Sequence, residues 1–436
     1  RGLGDVYKRQ VWGQIMTSKY QEIITTIIDQ IENGKLQKGE RIPSIRRLSQ
    51  KFHCSKDTVQ RALLELKFKN YIYAVEKSGY FVLEGKSQKE TPLNLSLSDY
   101  NNMAYEDFTT CLTETLVNRE NYLFNYYYQQ EGLQELIDSL QNYLEKSAIY
   151  AKKEDILVTS GTQQALYILS QVPFPNHKKT ILLEQPTYHR MNDLVASLKL
   201  PYQTIERDFE GIDLARLEEL FKTGDIKFFY SISRFSNPLG LSYSTSEKQK
   251  IVKLAECYDV YIIEDDYMGD FAKSTDLPLH YYDTSGHVIY LKSFSMTIFP
   301  ALRLGTIILP PVLTKAFLDH KKMIDYDTNL IMQKALSLYL DSGLFEKNLN
   351  YLKQVFQKQS QKIDTVLADF PRIQHFSSSL QGLVVELPED QHLGDLKFTD
   401  KINYLEDNYL SLTEKRFIKL SNNQDVFSIL TMISER

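Results

Sequence analysis

The chain has 436 residues, 42% of them hydrophobic and 25% charged, with 51 Lys and Arg against 56 Asp and Glu for a net charge of −5. That composition suits a soluble protein of two or three domains, and no stretch reaches the roughly 18 apolar residues of a membrane helix. Three cysteines (Cys54, Cys111, Cys257) and eight scattered histidines lack paired or metal-type spacing, which argues against disulfides and a metal centre; with no secretory apolar region, the expected location is cytoplasmic.

Residues 1–18 show no clear periodicity and read as a non-native or disordered leader. Residues 19–84 form the first structured unit. Between 19 and 83 there are 12 Lys and Arg against 7 Asp and Glu, so a basic head precedes an acidic body, a balance that suits a polyanionic partner. Residues 20–32 place Ile23, Ile24, Ile27, Ile28 and Ile31 at helical spacing. Ser44 is the expected N-cap of a second helix with Ile45, Leu48 and Phe52 on one face. After a short turn at His53 and Cys54, Ser55 caps a third helix whose stripe is Val59, Ala62, Leu63 and Leu66. A hairpin then runs through 71–74, a turn at 76–79 and 80–82.

Helix, helix, short turn, helix and a two-stranded wing is the winged helix–turn–helix plan, in which the third helix enters the major groove of DNA. Lys56 and Thr58 sit where base edges are read, while Arg41, Arg46 and Arg61 are better placed for phosphates. Ser44, Ser55 and Gly79, at the two helix starts and the wing turn, complete the expected DNA-binding set. The alternative is a small helical bundle with solvated charges. The segments GERIPSIRRLSQKF (39–52), SKDTVQRALLEL (55–66) and YIYAVEKSGYFV (71–82) also resemble the GntR family of bacterial regulators. That resemblance implies a dimer on a pseudo-palindromic operator.

Residues 85–99 are polar, lack periodicity and read as a linker. The remainder, 100–436, is expected to be one α/β domain. From Asp155 onward seven short apolar runs alternate mainly with helices, which predicts a largely parallel seven-stranded sheet covered on both faces. Ligands of such sheets bind at the carboxyl ends of the strands. Ser160-Gly161-Thr162 there opens a helix and offers amides to an anion, although such loops often only cap a helix. Tyr188 after Glu184-Gln185-Pro186-Thr187 can stack on a flat ring, or simply pack. Asn237-Pro238-Leu239-Gly240 is by itself an ordinary turn. Glu264-Asp265-Asp266-Tyr267 is either a functional cluster or solvated loop charge. Ser293-Phe294-Ser295-Met296-Thr297 precedes Arg303.

In this order the motifs resemble fold-type I aminotransferases over about 100–436, most strongly between 155 and 310. With the head attached, the chain resembles the MocR-type subfamily of GntR regulators. The resemblance implies pyridoxal phosphate as cofactor. Asp265 would pair with its ring nitrogen, Asn237 and Tyr267 would bond the ring hydroxyl, and Tyr188 would cover the face. Gly161, Thr162, Ser293, Ser295 and Arg303 would hold the phosphate, and Tyr127 would reach the phosphate of a partner subunit in a homodimer.

The chain departs from the family at its centre. The covalently bonding lysine should follow Ser-x-Ser, where Met296 stands, and a thioether can neither form an imine nor carry the proton that transamination needs. Lys292, four residues upstream, should be aimed elsewhere by its backbone position. The carboxylate-clamping arginine aligns with Lys419, which keeps the charge and loses the bidentate fork. The usual Gly/Pro-rich substrate loop before the sheet is also missing. The sequence therefore points to a DNA-binding transcription regulator whose aminotransferase-like domain senses pyridoxal phosphate or a related small-molecule effector without catalysis. The alternatives are a pyridoxal-phosphate-dependent aminotransferase with an accessory head, which turnover of an amino donor would reveal, and a constitutive DNA binder with a purely structural body.

Overall fold

The computed structural model describes residues 19–37, 39–68, 71–75, 79–83, 102–117, 129–325, 327–379, 382–387, 402–404, 410, 417–420, 429–431 and 433. The expected leader (1–18), the linker (85–99), the first residues of the wing turn (76–78) and Tyr127 lie outside them. The chain divides into two units, Arg1–Pro92 and Leu93–Arg436. Among the described residues no helix is long and apolar enough to cross a membrane.

The first unit contains α1 (Lys19–Glu32), α2 (Ile45–Phe52), α3 (Lys56–Phe68), β1 (Ile72–Val75) and β2 (Gly79–Val82). Ile23, Ile24, Ile27 and Ile31 of α1 meet Leu48, Phe52, Val59, Ala62, Leu63 and Leu66 in one core, closed from the wing by Ile72 and Val82. Each of the larger side chains stabilises the unit by about 1.5–3 kcal/mol through burial. Ser44 Oγ accepts the Arg47 N–H at 3.4 Å, and Ser55 Oγ accepts the Thr58 N–H at 3.1 Å, so both expected caps are made. His53 ends α2 in the left-handed region (φ 50°), which turns the chain sharply into α3. The stretch before α2 lies along the wing: Gly39 N–H donates to Val82 O, Val82 N–H to Glu40 O and Ile42 N–H to Tyr80 O.

In the second unit α4 (Asn102–Leu116) and α5 (Gln134–Lys146) precede β3 (Ile156–Thr159) and α6 (Thr162–Gln171). Next come β4 (Thr180–Gln185), α7 (His189–Ser197), β5 (Tyr202–Asp208), β6 (Gly211–Ile212) and α8 (Leu214–Thr223). They are followed by β7 (Ile226–Ser231), α9 (Thr245–Cys257), β8 (Tyr261–Asp265), α10 (Leu279–Tyr282), β9 (Val288–Ser293) and β10 (Gly305–Ile308). After α11 (Pro311–Ile324), α12 (Leu330–Asp341) and α13 (Leu344–Leu367) a second sheet is built from β11 (Phe376–Ser379), β12 (Gly382–Glu386), β13 (Ile402–Tyr404) and β14 (Phe417–Leu420).

The main sheet has the order β3-β10-β9-β8-β7-β4-β5-β6. β5, β4, β7, β8 and β9 run parallel, β10 lies antiparallel between β9 and β3, and β6 folds back on β5. The sheet thus has eight strands where the sequence predicts seven. The extra strand is two residues long, Gly211 and Ile212 opposite Asp208 and Arg207, too short to carry any periodicity. One face packs on α6, α7 and α11 through Leu157, Ile263, Leu291 and Ile307. The other packs on α4, α5 and α12 through Ile156, Val158 and Tyr290, and on α8 and α9 through Phe229 and Ile262.

Candidate functional site

Strand alternation decides which side chains meet. On β8 and β9, Tyr261, Ile263, Ile289 and Leu291 face the α6 layer, while Ile262, Val288 and Tyr290 face the opposite layer. Continuing each period of two puts Asp265 and Ser293 on the α6 side and Glu264 and Lys292 on the other.

The carboxylates Glu264, Asp265 and Asp266 are all at most 4% exposed, which removes the reading as solvated loop charge. Each has its own surroundings. Asp265 Oδ2 accepts the Tyr230 hydroxyl at 2.9 Å, and Oδ1 is buried with no hydrogen-bond partner among the described residues. Burial pushes its carboxyl up to about 6, against the Tyr230 hydrogen bond that favours the charged form. Burial also works to raise Asp266, yet the Arg234 guanidinium, which pairs with it through both Nε and Nη2, holds it below its ordinary value. A side chain on Gly269 would overlap this pair, so the turn after β8 has room only for glycine. Glu264 accepts the backbone N–H groups of Leu279 and His280 and the Ser233 hydroxyl, and burial with the neighbouring Asp266 charge pushes it up to about 7.

Tyr188 and Tyr267 both pack against the α6-side core beside Asp265. Burial pushes both phenols up, with the Asp265 charge adding to it, and for Tyr188 the Arg303 charge opposes the shift. Tyr188 therefore lies within electrostatic reach of both Asp265 and Arg303. The latter sits in the left-handed region (φ 53°) just before β10. A methyl group on Gly161 would stand 3.4 Å from Arg303 Nη2. Gly161 caps α6 with no side-chain hydrogen bond to its first-turn amides. Ser293 is 9% exposed, and its Oγ accepts the Ser295 N–H at 3.2 Å. Asn237 is half-buried on the loop after β7. A buried pair steadies that loop: Arg207 Nη1 donates to Glu184 Oε2 at 2.9 Å and to Ile232 O at 2.8 Å, and Nη2 reaches Leu241 O at 3.1 Å.

Asp265, Tyr188, Tyr267, Gly161, Thr162, Ser293 and Arg303 thus gather at the carboxyl ends of β3, β4, β8 and β9. Tyr230 and Gln163 belong beside this set. The first fixes the Asp265 carboxylate, and the second holds a buried Nε2 with no partner among the described residues. The Tyr230 contact is legible only once β7 and β8 are known to be neighbours.

Met296 packs with Tyr267, Phe235 and Phe356 against Met268, Phe271 and Leu352. Lys292 is 1% exposed on the far face of the sheet, its Nζ 2.7 Å from Asp270 Oδ2 and 3.5 Å from Asp266 O. Asp270 also accepts the Tyr143 hydroxyl. Lys419 lies in the middle of β14, opposite Val384 on one side and Asn403 on the other, and burial lowers its ammonium to about 8.

In the first unit Arg41, Ser44, Arg46, Ser55, Lys56 and Arg61 are exposed, whereas Thr58 is half-buried with its hydroxyl 2.9 Å from Ser55 Oγ. Thr58 therefore serves the helix cap as well as any outward role. Gly79 (φ 106°) packs under Arg41, whose Nε is 3.5 Å from where a Cβ would be.

Residues 19–82 match the family described as bacterial regulatory proteins of the gntR family, and residues 90–412 match aminotransferase class I and II. The HTH-type transcriptional regulator YcxD of Bacillus subtilis is 42% identical over 352 residues, 79% of each chain. Among solved structures, the kynurenine aminotransferase of Pyrococcus horikoshii superposes with a TM-score of 0.68 at 21% identity, over 86% of this chain and 93% of its own. The α-aminoadipate aminotransferase LysN of Thermus thermophilus, complexed with N-(5′-phosphopyridoxyl)-L-leucine, gives 0.66 at 20% identity over 78% and 90%.

Proposed function

The chain belongs to the MocR-type GntR regulators, a winged helix–turn–helix joined to an aminotransferase class I and II domain, and we propose that this second domain holds pyridoxal phosphate or a related anionic ring compound without a covalent bond and without turnover. The single observation that carries the proposal is Asp265 Oδ1, a buried acceptor with no partner among the described residues, near Tyr188, which also feels the Arg303 charge. A protonated ring nitrogen satisfies that acceptor.

Asp265 accepts the ring N–H and Tyr230 keeps its carboxylate in place. Tyr188 covers the ring face, and Asn237 and Tyr267 bond the ring hydroxyl. Thr162, Ser293, Ser295, the amides after Gly161 and Arg303 hold the phosphate. When bound, the cofactor supplies an electron-withdrawing ring bearing an aldehyde. Met296 offers that aldehyde a thioether inside an apolar cluster, and Lys292 spends its charge on Asp270, so no amine takes part. Tyr127 would complete the phosphate site from the partner subunit of a homodimer. Domain limits at 19–84 and 100–436 with a linker at 85–99 fit this division of labour. In the head, Lys56 and Thr58 read bases, Arg41, Arg46 and Arg61 hold phosphates, and Ser44, Ser55 and Gly79 bring backbone close to the DNA.

Titrating the full chain with pyridoxal phosphate, followed by absorbance and gel filtration, tests this. Saturable binding that gel filtration removes is the expected result. A retained visible band that disappears in Lys292→Ala would overturn it.

A further inference from the structure

The first turn of α6 has a neighbour outside the proposed cofactor site. Asp325 follows the last residue of α11, and its N–H donates to Lys321 O at 2.9 Å. A carboxylate at the carboxyl end of a helix faces that helix's negative pole, so α11 gives it no electrostatic reason to be there. The reason lies across the gap. Asp325 Oδ2 accepts the Ser160 hydroxyl at 2.5 Å and lies 3.4 Å from Gln164 Nε2, and Gln164 Oε1 accepts the Ser160 N–H at 2.9 Å. Ser160, Gln164 and Asp325 thus close a ring at the amino-terminal, positive end of α6, one residue from Gly161. Lys321, which feels the Asp325 charge, donates to Gln130 O at 2.8 Å and also feels Asp327 and Glu131, so one ammonium serves three carboxylates.

We propose that Asp325 is a specificity-determining residue of the pocket, a built-in anion that competes with the ligand's phosphate for the Ser160 hydroxyl and for the positive pole of α6. This rests on the proposal that the pocket takes a phosphate-bearing ring. A phosphate dianion entering beside Gly161 displaces or repels the Asp325 carboxylate, whereas a ring without phosphate leaves it undisturbed. The site is thereby held to weak, reversible capture of its ligand, as suits a sensor that must release it.

The test is calorimetric titration of the full chain, its Asp325→Asn and Asp325→Ser variants and Arg303→Ala with pyridoxal phosphate, inorganic phosphate and pyridoxal. Both Asp325 variants should bind pyridoxal phosphate and inorganic phosphate about tenfold more tightly, from removal of one nearby negative charge, with pyridoxal unchanged. If Arg303→Ala weakens pyridoxal phosphate but neither Asp325 variant tightens it, the role of Asp325 is overturned and the pocket stands. If Arg303→Ala and wild type bind alike, the pocket itself is wrong and the role of Asp325 falls with it. Melting curves of both variants keep a folding defect from passing as lost affinity.

Discussion

Replacing Asp265 by Asn separates what the fold needs from what the ligand needs. The Asp265 carboxyl, 4% exposed, is pushed by burial from its ordinary 3.8 up to about 6. A gap of about two pH units at about 1.4 kcal/mol each makes the ionised side chain destabilising by about 3 kcal/mol. The sign follows from linkage: the folded state holds this proton to higher pH than the unfolded state, so stability falls as pH rises through about 4 to 6. Asn keeps an acceptor for the Tyr230 hydroxyl and carries no charge. The ligand-free variant should therefore be more stable than wild type by up to about 3 kcal/mol at pH 8 and by about half that at pH 5. Urea unfolding followed by circular dichroism at the two pH values measures the difference. Added pyridoxal phosphate should raise the midpoint of wild type and leave that of the variant unmoved. A variant less stable than wild type at pH 8, or a difference that does not change between pH 5 and pH 8, would show that the buried Asp265 charge does not destabilise the fold.

Other substitutions probe the remaining parts. Met296→Lys puts an amine where the proposed cofactor site lacks one and should give, with pyridoxal phosphate, a visible band and a borohydride-fixed mass increase that wild type lacks. Lys292→Ala leaves Asp270 buried without its cation and should destabilise the chain by about 3–5 kcal/mol in urea unfolding, with no effect on the spectrum of bound ligand; pairing it with Asp270→Asn should recover most of the loss. Arg46→Ala should weaken binding to all DNA sequences alike and reduce the salt slope by about one, while Lys56→Ala should change which sequences are preferred, as read by binding titrations at several salt concentrations.

The head was legible almost entirely because its information is local. Five isoleucines at helical spacing, Ser44 and Ser55 at helix starts, and a glycine in the wing turn each act within a few residues of themselves. In the body the order of motifs led to the strand ends where Asp265, Tyr188 and Arg303 lie, but the partners of these side chains come from far along the chain. Tyr230 meets Asp265 over 35 residues, Lys292 meets Asp270 only because β9 alternates, and Asp325 meets Ser160 over 165. Three acidic residues in a row look like solvent-exposed loop until Arg234 and the Leu279 and His280 amides are known to face them. β6 is two residues long, and the strand character of FSSS in β11 comes from pairing with β12 and not from its own side chains.

Whether the proposed ligand site makes the aminotransferase-like domain a reversible sensor for the DNA-binding head is decided by one equilibrium titration. DNA selected from a random pool by the purified chain is held at fixed concentration, and its affinity is measured against increasing pyridoxal phosphate. Coupling predicts a saturable change in DNA affinity that reverses on dialysis and is lost in Asp265→Asn. Unchanged affinity at saturating pyridoxal phosphate would contradict it and leave the domain as a scaffold.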